Sequence, residues 1–229
     1  SKSRGWERQV AERIQQAAVE RSCSLDQDAL QCLVDVIGTD TTRIAAELDK
    51  LAAYVGGESP RITLDAVKTM CRGEGETVWW AVKDAVGARK VRTTLRITEE
   101  FLRGERDEDS ALFLLVRQIG LFFREMLQTR VAMRRLGARH PGQLQSTLKN
   151  MDKESVAKLC EQGLDFMDKH PFRVFKTAEA AMNYSEDELI RGVQAARDAY
   201  WKCISHVLVS NRVVWENLLY TAMGRRKTR

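Results

Sequence analysis

Only three prolines interrupt 229 residues, at Pro60, Pro141 and Pro171. Proline breaks helices and also punctuates turn-rich β folds, so a long chain with so few points to helices. Apolar residues recur at helical spacing along most of the chain. Trp6, Val10, Ile14, Ala17 and Ala18 share one face of a first helix, and Glu7, Arg8, Glu12 and Arg13 share the other. Ser24 is placed to cap a second helix with Leu30, Leu33, Val34 and Ile37 inward, ended by Gly38. A third helix starts at Thr39 or Asp40, carries Ile44, Leu48, Leu51 and Val55, and stops at Gly56-Gly57. Thr63 is placed to cap a short fourth helix containing Ala66, Val67 and Met70.

Two glycines among charges, Arg72 to Glu76, read as a linker. Helices follow at 78–86, with Trp79 and Trp80, and at about 90–102. The spacing then predicts a long helix from Ser110 to Leu136, with Leu112, Leu115, Ile119, Phe122, Phe123 and Met126 on one broad face. After His140-Pro141 comes a polar stretch. Helices are expected at 155–167, 172–182, 186–209 and 213–223, and no alternating strand pattern stands out. The expected class is all-α, with 1–72 a small helical domain and 73–229 a second helical domain.

Charge is uneven. Residues 1–75 carry 10 Lys+Arg against 12 Asp+Glu, residues 76–150 carry 14 against 9, and residues 151–229 carry 13 against 11. A mild basic excess in the middle can attract phosphate but does not by itself establish nucleic-acid binding. No apolar run approaches the roughly 20 residues of a membrane span. The N-terminus has neither an initiator Met nor a signal-peptide core. Five cysteines, an odd number without CxxC spacing, read as buried thiols of a reducing compartment.

The chemistry of an enzyme is not visible. Gly73-Glu74-Gly75 lies among acids that repel phosphate. His140, His170 and His206 lack metal-ligand spacing, and the first two precede proline, where turn or cap roles fit better. Trp79-Trp80 and Phe122-Phe123 offer either base-stacking faces or, more simply, core and helix-seam residues. Trp215, Leu218, Leu219 and Tyr220 on the last helix are candidates for a subunit contact, with the intramolecular core as the equal alternative. Arg130, Arg134 and Arg135 are candidate DNA-proximal residues, equally explained by the dipole at a helix C-terminus.

The order of segments carries a resemblance. Ile37 to Tyr54, with Gly38, Asp40, Glu47-Leu48-Asp49-Lys50-Leu51-Ala52, is similar to the GxD…ELEKLALY signature of bacterial clamp-loader delta subunits. Ile62-Thr63-Leu64-Asp65-Ala66-Val67, Leu112 to Arg124, His170-Pro171-Phe172 and Tyr184 to Leu189 resemble further pieces of that family, in order. A Leu-Lys-Ser/Thr-Gly element before the last helix is replaced by Leu208-Val209-Ser210-Asn211.

The resemblance implies that 1–72 is a lid-like domain of AAA+ type and that 73–229 is a helical collar. It implies a non-catalytic piece of a subunit of the DNA polymerase III holoenzyme, a nucleotidyltransferase complex, acting in DNA replication in the cytoplasm. No cofactor and no membrane contact are implied. Expected partners are the ATPase and delta-prime subunits through the collar, DNA in the assembled loader, and the sliding clamp only through an N-terminal domain that nothing here resembles. Arg43 lies near the position of a nucleotide sensor in ATPase relatives and reads here as a surface or domain-contact residue. The alternative is a standalone helical nucleic-acid-binding regulator, disfavoured by the acids Glu47 and Asp49 on the helix that would enter a groove.

Overall fold

The computed structural model describes residues 6–37, 41–71, 74–205 and 209–224. They form twelve α-helices, two turns of 3-10 helix and one pair of two-residue strands, so the fold is all-α. Backbone contacts divide the chain into two compact units, 1–77 with 145–175, and 78–144 with 176–229.

In the first unit, α1 (Trp6–Glu20), α2 (Gln27–Ile37), α3 (Ile44–Val55) and α4 (Leu64–Met70) close around Ile14, Leu33, Leu48, Leu51 and Ile62. Burying side chains of this size contributes about 1.5–3 kcal/mol each before chain entropy is counted. Ser24 does not cap α2. It lies in β1 (Ser24–Leu25), which pairs in parallel with β2 (Arg61–Ile62), and its N–H is spent on the carbonyl of Pro60 at 2.9 Å. The pairing is too short for period-two patterning to show, which is why no strand stands out in the sequence. Thr63 caps α4 as expected, accepting from the Ala66 N–H at 3.4 Å. Gly56 and Gly57 end α3 with φ of 72° and 88°, a region open to glycine at no steric cost. The expected start of α3 at Thr39 or Asp40 and the stop at Gly38 lie outside the described residues. The first described turn there is 3-10, Thr41–Arg43.

The 145–175 part of this unit holds α9 (Lys153–Glu161) and a 3-10 turn, Asp165–Asp168. The single helix expected over 155–167 is broken by Gly163 at φ 85°. Asp152 caps α9, accepting from the Ser155 N–H at 2.7 Å. α8 (Pro141–Asn150) forms where only a polar stretch was expected. Pro141 opens it with its φ already helical, and His140 Nδ1 accepts from the Gln143 N–H at 3.2 Å.

The second unit is built on α7 (Glu108–Arg135), flanked by α5 (Glu74–Gly87), α6 (Val91–Leu102), the end of α10 (Pro171–Ala181), α11 (Glu186–Ile204) and α12 (Asn211–Met223). α5 begins within the segment expected as linker, at Glu74. Asp107 caps α7 through the Ser110 N–H at 3.0 Å, and Gly137 at φ 68° follows its end. α11 packs closely on α7. A Cβ on Gly192 would lie 2.4 Å from Phe123 Cδ1, and one on Gly120 would lie 3.2 Å from Ala196 Cβ. The two glycines let the helices approach within the reach of their backbones.

Candidate functional site

The last helix of the second unit has four residues of interest. Trp215, Leu218 and Leu219 are fully buried and fill the core against α6, α7 and α11. Tyr220 stands 60% exposed. Helical geometry requires this split, because residues 215, 218, 219 and 222 share one face and 220 points away from it. The intramolecular role therefore belongs to the first three, and only Tyr220 presents itself at the surface.

Both ends of α12 are tied down by arginines. At its start, Arg212 donates to Glu99 of α6 at 2.8 Å and to Glu108 of α7 at 2.9 Å. These pairs are nearly half-exposed, so each is worth little alone. At its end, Arg89 is only 9% exposed and uses its fork fully. It donates to Glu188 at 2.7 and 2.9 Å, to the Met223 carbonyl at 3.1 and 3.2 Å, and to the Asn183 carbonyl at 3.0 Å. Its guanidinium also lies over the Tyr184 ring, 4.5 Å from the centroid. Arg89 has φ of 56°, an uncommon left-handed conformation for a non-glycine residue, held here by these five bonds.

The neighbours complete the network. Tyr184 donates its hydroxyl to the Val86 carbonyl at 2.5 Å, and Asn183 donates to the Gly87 carbonyl at 2.9 Å. Burial pushes the Tyr184 phenol up. Ser185 and Glu188 form a reciprocal capping box at the start of α11. The Arg89 hydrogen bonds hold the Glu188 carboxyl down to about 2, well below its ordinary 4.5. Both carboxylate oxygens of Glu188 are engaged by Arg89, and the arrangement is a clamp.

The basic cluster at the end of α7 is partly engaged. Arg134 pairs with Glu186 in the first turn of α11. Arg130 is half-buried and lays a guanidinium nitrogen 2.9 Å from Met182 Sδ. Arg135 is exposed. Of the aromatic pairs, Phe122 and Phe123 are buried, while Trp79 and Trp80 are half-buried at a seam, with Lys83 Nζ 5.3 Å from the Trp80 centroid and 4.8 Å from that of Phe122.

In the first unit, Arg43 is not directed at a ligand. It donates to Glu47 at 3.2 Å, and Lys50 Nζ lies 2.6 Å from the other carboxylate oxygen. Burial pushes Glu47 up, but bonds from Lys50, Cys71 and Arg43 more than offset it and leave the carboxyl below its usual range. The Cys71 thiol is pushed up to about 12, mainly by burial and then by Glu47. It is a buried hydrogen-bond donor to Glu47. All five cysteines are free, four of them buried. A shallow cavity of about 390 Å³ is lined by Arg13, Gln16, Glu20, Arg21 and Thr41 among others. Its arginines are already committed, Arg13 to Thr41 at 3.3 Å and Arg21 to Asp49 at 2.7 Å. Among the described residues no group of three His, Cys, Asp or Glu is arranged to hold a metal ion. His206 lies outside them. No described helix is long and apolar enough to cross a membrane.

Sequence reasoning missed the Arg89 clamp. The Ser185-x-x-Glu188 box was readable as a helix start. A positive φ at an arginine, and contacts reaching nearly a hundred residues along the chain, leave no local signal.

No family model matches this sequence, and no curated protein matches it. Among solved structures, the fold is similar to that of the DNA clamp loader delta protein of Bacillus subtilis (YqeN), with a TM-score of 0.57 and 18% identity. The match covers 96% of this chain and 57% of that one.

Proposed function

We propose that this chain is a non-catalytic part of a clamp-loader subunit of the delta kind, acting in the loading of a sliding clamp onto DNA. The observation that carries this reading is the fold likeness over 96% of the chain. It joins the ordered resemblance of the segments from Ile37 to Leu189. Under this reading 1–72 serves as the lid-like domain and 73–229, whose 145–175 segment clusters with the first compact unit, as the collar that joins the ATPase and delta-prime subunits in the cytoplasm. Tyr220 is the residue of the last helix placed to meet a neighbour, with Trp215, Leu218 and Leu219 holding its helix in position. Arg130, Arg134 and Arg135 are the basic residues proposed to lie near DNA in the assembled loader. The chain spans 57% of the length of the protein it matches.

The test is size-exclusion chromatography with light scattering, mixing this chain with the clamp-loader ATPase subunit of the same organism. A co-eluting complex that is weakened by Tyr220→Ala supports the collar reading. Separate peaks at micromolar concentration, together with tight binding of this chain alone to DNA, favour the standalone regulator instead.

A further inference from the structure

The seven methionines of the chain differ in how far an oxidant can reach them. Met126, Met133, Met167 and Met223 are buried, Met70 and Met151 are half-buried, and Met182 is 45% exposed. Oxidation of a thioether needs access to its sulfur, so exposure puts Met182 first among the seven.

Met182 also lies against a cation. Its sulfur is 2.9 Å from a terminal nitrogen of the Arg130 guanidinium. A thioether is a weak acceptor. The rest of that guanidinium is not satisfied either, since Arg130 Nε is buried and has no acceptor among the described residues. A buried donor of a charged group without a partner is costly. A cation short of an acceptor thus stands beside a side chain that gains a strong one on oxidation.

Neither residue is free to leave the other. Arg130 lies on α7 one turn before Arg134, which pairs with Glu186. The Met182 N–H donates to the Ala178 carbonyl at 3.0 Å, and Ala181 before it is buried. Asn183 and Tyr184 after it are tied to the Gly87 and Val86 carbonyls. The backbone therefore keeps Met182 beside the end of α7 whatever the state of its sulfur.

With hydrogen peroxide, a sulfur lone pair attacks one oxygen, an S–O bond forms and the O–O bond breaks. The departing hydroxide takes the proton of the transferred OH and leaves as water. The sulfur is oxidised by two electrons and the peroxide reduced by two. The sulfoxide oxygen carries partial negative charge and forms on the atom that the guanidinium already touches, where a charge-assisted hydrogen bond is strong. We infer that Met182 is a site of selective, reversible oxidation by peroxides, and that Arg130 holds its sulfoxide, tying the end of α7 more firmly to the turn between α10 and α11. Oxidised methionines ordinarily loosen a fold, because an apolar side chain becomes polar. Here the sign is reversed. Both residues belong to the second unit, and the inference is independent of the clamp-loader reading.

The experiment treats the whole chain with hydrogen peroxide for increasing times and follows each methionine by peptide mass spectrometry. Met182 should gain its oxygen first, at least about tenfold faster than the four buried methionines and ahead of Met70 and Met151. A sample oxidised at Met182 alone should show a urea midpoint raised by about 0.3 M. Methionine sulfoxide reductases with dithiothreitol should return it to the starting value. In Arg130→Ala the same oxidation should leave the midpoint unchanged or lower it. Met182→Gln, which carries an amide oxygen near the place of the sulfoxide, should raise the midpoint above that of Met182→Leu without any oxidant. That last pair keeps Arg130 and decides the matter even where Arg130→Ala does not fold. The inference is overturned if a buried methionine is oxidised as fast as Met182, if oxidation at Met182 does not raise the midpoint, if it raises it equally without Arg130, or if Met182→Gln and Met182→Leu have equal midpoints.

Discussion

Arg89 and Glu188 stand 99 residues apart in sequence and meet through two hydrogen bonds of 2.7 and 2.9 Å, with the arginine nearly enclosed. The pair joins the α5–α6 turn to the start of α11, and through the Met223 carbonyl to the end of α12. Replacing Arg89 by Ala leaves Glu188 and two carbonyls without their donor. The expected loss is about 3–5 kcal/mol of stability in the second unit, read as a lower urea midpoint. Arg89→Lys keeps the charge but not the fork, and should recover only part of that loss.

The same pair sets a dependence on acid. The Glu188 carboxyl is lowered in the folded protein, to about 2 from an ordinary 4.5. Its contribution is therefore complete above 4.5 and is lost as pH falls from there toward 2. Urea titrations of the natural chain and of Glu188→Gln should differ most near neutral pH. That difference should shrink steadily below pH 4.5; a constant gap would show that the carboxylate charge is not what Arg89 requires.

Gly192 should not tolerate a methyl group. Its Cβ would lie 2.4 Å from the Phe123 ring, which is buried and cannot swing aside. Gly192→Ala is expected to cost about 1–3 kcal/mol despite the better helix propensity of alanine. Combining it with Phe123→Leu should cost less than the two changes separately, since the smaller side chain makes room. A thermal-melt double-mutant cycle measures that coupling.

Tyr220 and Leu219 are adjacent and should behave oppositely. Leu219→Ala empties a fully buried site and should cost about 2–5 kcal/mol. Tyr220→Ala changes an exposed side chain and should leave stability within about 0.5 kcal/mol. If Tyr220→Ala also lowers affinity for a clamp-loader ATPase subunit, the contact is separated from the core by one residue.

The helical class was legible because few prolines and a steady period of three to four leave little else for the chain to do. Thr63 announced itself as a cap, as did the stops at Gly56, Gly57 and Gly137. Ser24 misled because a serine before an apolar run reads as a cap, while here it lies in a two-residue ladder too short to carry a pattern and α2 starts only at Gln27. The helix opened by Pro141 was hidden by its polar residues, though proline is well suited to a first turn. Of the four residues singled out on α12, three fill the core, the alternative the sequence left open, and Tyr220 alone is exposed. Which of them faces solvent depends on the rotation of the helix, which is tied to residues far away in sequence, Arg89 at its end and Glu99 and Glu108 at its start. Arg130 and Arg134 looked available because their partners, Met182 and Glu186, lie in another segment.

The anchoring of α12 at both ends has a consequence for synthesis. Trp215, Leu218, Leu219, Ala222 and Met223 close the core around α7, Arg89 waits for the Met223 carbonyl, and Glu99 and Glu108 wait for Arg212, all of which only this helix provides. While the ribosome still holds α12, α5 through α11 have an open seam and an arginine with a left-handed backbone and too few acceptors. The second unit therefore completes its core only once α12 has left the ribosome and docked.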